Sequence, residues 1–217
     1  MKPNLAAQIR IDIQQGIWYP AQPLTQQQLA DHYRVSRIPV RDAVQQLLSE
    51  GWLLSHGKAG IQVMPLTEAQ ARELSEIRSA LEPLALRLAL PHLTFAQLGT
   101  AEDWLTQLEA LEQPSTWQVA KLNSEFHLSL YRACDRPQLL QLIEHLHEKA
   151  GMYLGFQHLQ LAYGPTSQQQ HRELLHLLKQ QNHAAALLLL RQHIEEAGSQ
   201  LAGHLHQLAT TMPTKTQ

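Results

Sequence analysis

The stretch Val35–Gly51, VSRIPVRDAVQQLLSEG, constrains the fold more than any other part of the chain. Ser36 is of the type that caps a helix by accepting a hydrogen bond from a first-turn amide, and Pro39 falls within that first turn, where its missing N–H is not needed. A helix is therefore expected to start at Ser36. Beyond it Val40, Ala43, Val44, Leu47 and Leu48 recur at three- and four-residue spacing and make an apolar stripe, while Arg37 and Arg41 share a different face. A short capped helix thus offers two guanidinium groups to a partner.

The flanking residues indicate what that partner is. In LTQQQLADHYRVS, the residues Leu24, Gln28, Leu29, Ala30 and Tyr33 predict another short helix, with a tight connection at Arg34 and Val35. After Gly51, WLLSHGKAGIQVMP holds two short apolar segments around His56-Gly57-Lys58-Ala59-Gly60, which predicts a hairpin with a basic tip. A helix-turn-helix followed by such a hairpin is a winged helix, whose second helix can enter the major groove of double-stranded DNA while the wing touches the backbone or minor groove. Upstream, Leu5, Ile9, Ile13 and Ile17 at four-residue intervals, with Gly16 near the end, predict a helix packed under this motif.

The run SRIPVRDAVQQLLSEGWL, followed by a Gly-containing wing, resembles the DNA-binding domain of the GntR family of bacterial transcription regulators. PLTEAQARELSEIRSALEPLALRLA resembles the entry to the FadR-type effector domain, often called FCD. Together the two likenesses cover nearly the whole chain. One departure is Pro20-Ala21, where the family usually has Pro-Gly.

The length of 217 residues suits two ordinary domains, 1–66 and 67–217, with the boundary where Met64-Pro65-Leu66-Thr67 breaks the pattern. Thr67 with Glu68 and Glu73 opens the next helix. The net charge of −2 divides unevenly: residues 1–66 hold six Lys/Arg and four Asp/Glu, the remainder eleven and fifteen. A single cysteine, Cys134, excludes an internal disulfide framework, and no apolar run approaches the roughly 20 residues that span a membrane. With no signal-like segment at the N-terminus, the expected location is cytoplasmic.

From Thr67 onward no strand signal appears. Helical stretches of about 67–91, 94–113, 115–134, 136–162, 165–181 and 183–209 are separated by Pro91, Pro114, Pro137, Gly164-Pro165 and Asn182. The expected architecture is mainly α: an N-terminal winged helix-turn-helix plus a C-terminal all-α bundle of about six helices, close in count to the shorter, VanR-like branch of the FadR-type group.

Residues 67–217 carry eleven of the thirteen histidines, most of which read as solvated or core residues. Three stand where FCD-type metal-binding proteins have theirs. Asn123-Ser-Glu-Phe-His127 resembles the family's Asp-x-x-x-His, His171 resembles the histidine of its Glu-His segment, and His193 follows by 22 residues. Asn123 and His127 lie at i and i+4 on one helix face, and antiparallel packing can bring His171 to His193. The resemblance implies a divalent metal such as zinc or nickel on Asn123, His127, His171 and His193, weakened where Asn123 replaces aspartate by a neutral amide. A metal-free pocket for an anion, or simply packed polar residues, are the other readings of the same histidines. Arg78 occupies the position of an arginine that the family directs into its effector cavity; it either clamps a carboxylate or pairs with Glu82, four residues on.

For the N-terminal domain the expected DNA contacts are Ser36, Arg37 and Arg41, with backbone contacts from Arg34, Gln27 and Lys58 and a close approach at Gly57. The other reading of the two arginines is a solvated face paired with Asp42 or Glu50. No phosphate-cradling Gly loop or Gly-x-Ser-x-Gly elbow is present, and Cys134 has no adjacent histidine. The reading is a homodimeric, ligand-responsive transcription factor on a pseudo-palindromic operator, a repressor released by a small organic acid. A metal-dependent hydrolase using His127, His171 and His193 is the alternative from another class.

Overall fold

The computed structural model describes residues 4–55, 57, 60–65, 67–160 and 164–211. The wing tip at His56, Lys58 and Ala59, and with it the expected Lys58 contact, lies outside the described residues. The chain divides into two compact units, Met1–Leu66 and Thr67–Gln217.

The first unit runs α1 (Leu5–Gln14), β1 (Pro23–Leu24), α2 (Gln26–Tyr33), α3 (Arg37–Ser49), β2 (Leu53–Ser55) and β3 (Ile61–Val63). Of the α3 stripe, Val40, Ala43, Val44 and Leu47 are buried where α3 packs on α1 and α2, which bury Ile9, Ile13, Leu29 and Ala30, while Leu48 is only half-buried. Ile17 departs from expectation. Gly16, at φ 78, turns the chain after α1, and Ile17 stands 46 % exposed outside the helix. Leu24 also departs: Thr25 and Gln28 form a reciprocal capping box that starts α2 at Gln26, so Leu24 falls before the helix and pairs with Ile61. The wing is therefore a three-stranded antiparallel sheet, ordered β1-β3-β2, rather than a lone hairpin. Two residues of β1 are too few to carry a strand signal of their own. Gly60, at φ 105, lets β3 return against β1, since a Cβ there would meet the Leu24 carbonyl oxygen at 2.8 Å. Gly57, at φ 58, has no atom of the chain within 4 Å of where a Cβ would stand.

Asp12 is buried between α1 and α2, an acid that the periodicity of α1 does not single out. It accepts from the Tyr33 hydroxyl at 2.5 Å and from Gln8 at 2.9 Å, and Tyr33 in turn accepts from the Trp18 indole at 2.8 Å. Every member is satisfied, the condition under which a buried polar network fixes geometry rather than weakening the core.

The second unit has no strand among its described residues and is built from α4 (Glu68–Ala89), α5 (Phe95–Glu109), α6 (Thr116–Tyr131), α7 (Pro137–Gln160), α8 (Gly164–Lys179) and α9 (His183–Thr211). The expected end of α7 at residue 162 lies outside the described residues. Thr67, Thr94 and Ser115 each accept a hydrogen bond from the amide three residues on. Leu86, Leu105, Phe126, Leu130, Ile143, Leu175 and Leu190 are among the residues that make one core shared by all six helices.

Candidate DNA-reading face and histidine centre

Arg34 ends α2 in a left-handed conformation, φ 53 and ψ 48, and the Val35 amide returns to the Ala30 carbonyl at 3.1 Å. This closes the turn of the helix-turn-helix and leaves Arg34, Ser36, Arg37 and Arg41 exposed on its outer side. Arg37 donates from Nε to the Gln27 side-chain oxygen at 2.8 Å, and from Nη2 to the same atom. Among the described residues Arg41 has only a loose 3.6 Å pair with Asp42, both exposed, which leaves it available to a partner at little cost.

Ser36 holds the N-cap position with extended backbone, but its side chain makes no capping hydrogen bond, contrary to expectation. The reason is Pro39. In the other capped helices the serine or threonine accepts from the third helical amide, and in α3 that residue is a proline with no N–H.

In the helical unit, α6, α8 and α9 bring the three expected histidines together. His171 Nε2 lies 3.1 Å from His127 Nε2 and 3.2 Å from His193 Nε2, and all three residues are buried. The outer ring nitrogens fix the tautomers of two of them. The Tyr131 hydroxyl donates to Glu82 Oε2 at 2.8 Å, so its oxygen receives the Nδ1–H of His127 at 3.2 Å. Nδ1–H of His193 donates to the Gln170 oxygen at 2.8 Å. Both Nε2 atoms therefore turn lone pairs inward.

Charge agrees with this. Burial drives the imidazoles of His127 and His171 well below their ordinary value; Glu82 partly opposes the effect at His127, and the neighbouring imidazoles add to it at His171. Burial brings His193 down to about 4. Burial alone would raise Glu82, but Arg78 and His147 outweigh it and hold the carboxyl well below its usual range. Three neutral imidazoles facing one another carry at most one inward proton, on His171, which can reach only one neighbour. A cation among the three Nε2 atoms satisfies all of them: ideal tetrahedral zinc–nitrogen bonds of about 2.0–2.1 Å set nitrogens at nearly the separation of His171 from each of its two neighbours, and all three ligand atoms lie within 4.8 Å of one another. The donor set fits a divalent metal.

Asn123 is buried one turn before His127 on the same helix. Arg78 donates from Nε to Glu82 Oε1 at 2.6 Å, so the ion-pair reading of Arg78 is realised in a buried setting. The sequence reading misses Glu82 and Tyr131 as supports of His127 and Gln170 as the support of His193, and it counts His147 among the surface or core histidines without placing it beside Glu82. His147 is buried with Nε2 3.3 Å from Glu82, and neither ring nitrogen makes a hydrogen bond. The i, i+4 spacing of His127 and Tyr131 was available as a signal; the meeting of α7 with α4 was not.

Residues 2–63 match the bacterial regulatory proteins of the gntR family, and residues 73–196 match the FCD domain. The chain belongs to the GntR family. Its likeness to the regulator McbR of Escherichia coli is 29 % identity, over 81 % of this chain and 80 % of that one. The repressor RspR of the same organism is 28 % identical over 87 % and 83 %. A solved GntR family member from Pseudomonas syringae is 31 % identical, with TM-score 0.60 over 96 % of this chain and 87 % of the other. This GntR protein is a DNA-binding transcriptional regulator whose FCD domain is an effector-binding unit. The hydrolase alternative finds no support among relatives that are all regulators. Among the described residues, no helix is long and apolar enough to cross a membrane.

Proposed function

We propose that this regulator is a cytoplasmic, homodimeric repressor whose effector site is a divalent metal centre on His127, His171 and His193, with Asn123 as an auxiliary oxygen ligand and a small carboxylate as effector. The convergence of the three Nε2 atoms, 3.1 and 3.2 Å apart across His171, carries the reading. When bound, the ion supplies positive charge and an open position for a carboxylate oxygen. The chain's own residues orient the site: Tyr131 and Glu82 hold the His127 ring, Gln170 holds His193, and His147 and Arg78 provide further cationic or donor groups at the Glu82 wall. Zinc and nickel both suit an imidazole set. The six helices described after residue 67 support placement in the VanR-like branch.

On the DNA side, Arg37 and Arg41 read base edges or phosphate from α3, Ser36 and Arg34 touch the backbone, Gln27 supports them, and the wing with Gly57 and Lys58 lies along an adjacent groove. A twofold dimer reads a pseudo-palindromic operator. The test is elemental analysis of untagged protein beside a His127→Ala/His171→Ala variant. About one ion per chain that is lost in the variant is expected from a single tetrahedral centre; no ion in the wild-type protein removes the metal and leaves an anion pocket.

A further inference from the structure

Gln27 sits on α2 and Arg37 at the start of α3, and both are exposed. Gln27 makes two contacts of opposite sign. Its oxygen accepts from Arg37 Nε at 2.8 Å and from Nη2, and its amide nitrogen donates to Asp31 Oδ1 at 2.6 Å. A glutamine amide has an oxygen end and an NH2 end, and nothing intrinsic decides which way round it lies. Turned over, it would set NH2 against the guanidinium, donor against donor. Asp31, four residues along the same helix, removes the choice: an ionised carboxylate only accepts, so the NH2 end must face it and the oxygen end must face Arg37.

The consequence reaches the guanidinium. With Nε and Nη2 committed along one side, the edge made by Nη1 and the second Nη2 hydrogen remains, and that edge is the one that can pair in parallel with two acceptors. In a major groove two such acceptors are presented by guanine O6 and N7. We infer that Asp31 is a positioning residue for operator reading: it orients the Gln27 amide, which holds Arg37 with a single bidentate edge outward. This rests on Arg37 being an operator contact, and the experiment separates the two.

Bare electrostatics makes the opposite forecast for the same residue, because removing a negative charge beside a polyanion strengthens binding to any sequence. The probe is a duplex enriched by the wild-type protein from a randomised duplex pool, measured beside its scrambled version at matched salt. Asp31→Ala is expected to lower the preference for the selected duplex by about 3- to 10-fold while binding the scrambled duplex no more weakly than the wild type does. Asp31→Glu, which keeps an acceptor-only group, is expected to restore the preference. Asp31→Asn, which can itself turn over, should give a smaller drop of the same sign, and thermal melting confirms that the variants are folded. An unchanged preference in Asp31→Ala, with Arg37→Ala losing it, overturns the relay. An unchanged preference in Arg37→Ala, or no enriched duplex at all, overturns the Arg37 assignment instead.

Discussion

Ala21 holds a backbone that alanine rarely adopts, φ 64, where the family usually carries glycine. The turn survives because it is tied on both sides: the Ala21 amide donates to the Val63 carbonyl at 3.1 Å, and the Gln62 side chain donates to the Ala21 carbonyl at 2.7 Å. Left-handed strain for a residue with a Cβ is about 1–2 kcal/mol. Glycine removes it and loses about 0.5–1 kcal/mol through a freer unfolded chain. Ala21→Gly is therefore expected to stabilise the DNA-binding unit by about 0.5–1 kcal/mol, read as a higher urea midpoint for that unit; a lower midpoint would mean that the turn stores no strain. Ser36 supplies a second test. Since Pro39 leaves it no third-position amide to cap, Ser36→Ala should cost under about 0.5 kcal/mol, whereas Thr25→Ala, which breaks a complete capping box in the same unit, should cost about 1 kcal/mol. Equal losses would show that the serine caps after all.

At the scale of elements, helix starts are written in local chemistry, although counting Leu24 into α2 overlooks the Thr25 box. Thr25 with Gln28, Thr94 with Gln97 and Ser115 with Gln118 each announce a beginning within four residues. What stayed hidden was set by pairing across the fold. Pro23 and Leu24 become a strand only because β3 lies beside them, and Glu82 becomes a support of His127 only because α4 meets α6 and α7. The three histidines were legible through their likeness to a family pattern; the inward lone pairs of His127 and His193 depend on Tyr131, whose i, i+4 spacing from His127 was a local signal, and on Gln170, which no spacing announced. The packing of α4 on α9 is similar: Gly198 sits where a Cβ would meet Ser75 Oγ at 2.1 Å and its Cβ at 2.3 Å, and that hydroxyl donates to the Ile194 carbonyl at 2.9 Å. Gly198→Ala should destabilise the helical unit by about 1–3 kcal/mol through overpacking. Adding Ser75→Gly should recover most of that loss in a denaturation cycle; failure to recover would place the cost in something other than this contact.

For the molecule as a whole, regulation through the proposed histidine centre requires that it and the DNA-reading face report on one another, and thermodynamics fixes how. An effector that weakens operator binding by some factor must itself bind more weakly, by the same factor, to the DNA-bound protein. Typical couplings of 1–3 kcal/mol correspond to about 5- to 150-fold, so both halves of the cycle are measurable. Metal enters first. An ion bound at the proposed site on His127, His171 and His193 would stabilise the folded helical unit by about 2.7 kcal/mol at a hundredfold excess over its dissociation constant. The helical unit's melting transition should therefore rise with added zinc or nickel in the wild type and stay fixed in His171→Ala. The DNA-binding unit lacks this cluster, so any rise in its own transition measures coupling rather than ligation. The decisive comparison is metal affinity with and without the selected duplex: a shift equal to the change that metal produces in duplex affinity establishes the centre as regulatory. No shift in either direction would make it a structural ion that stabilises the bundle and leaves the effector to bind elsewhere.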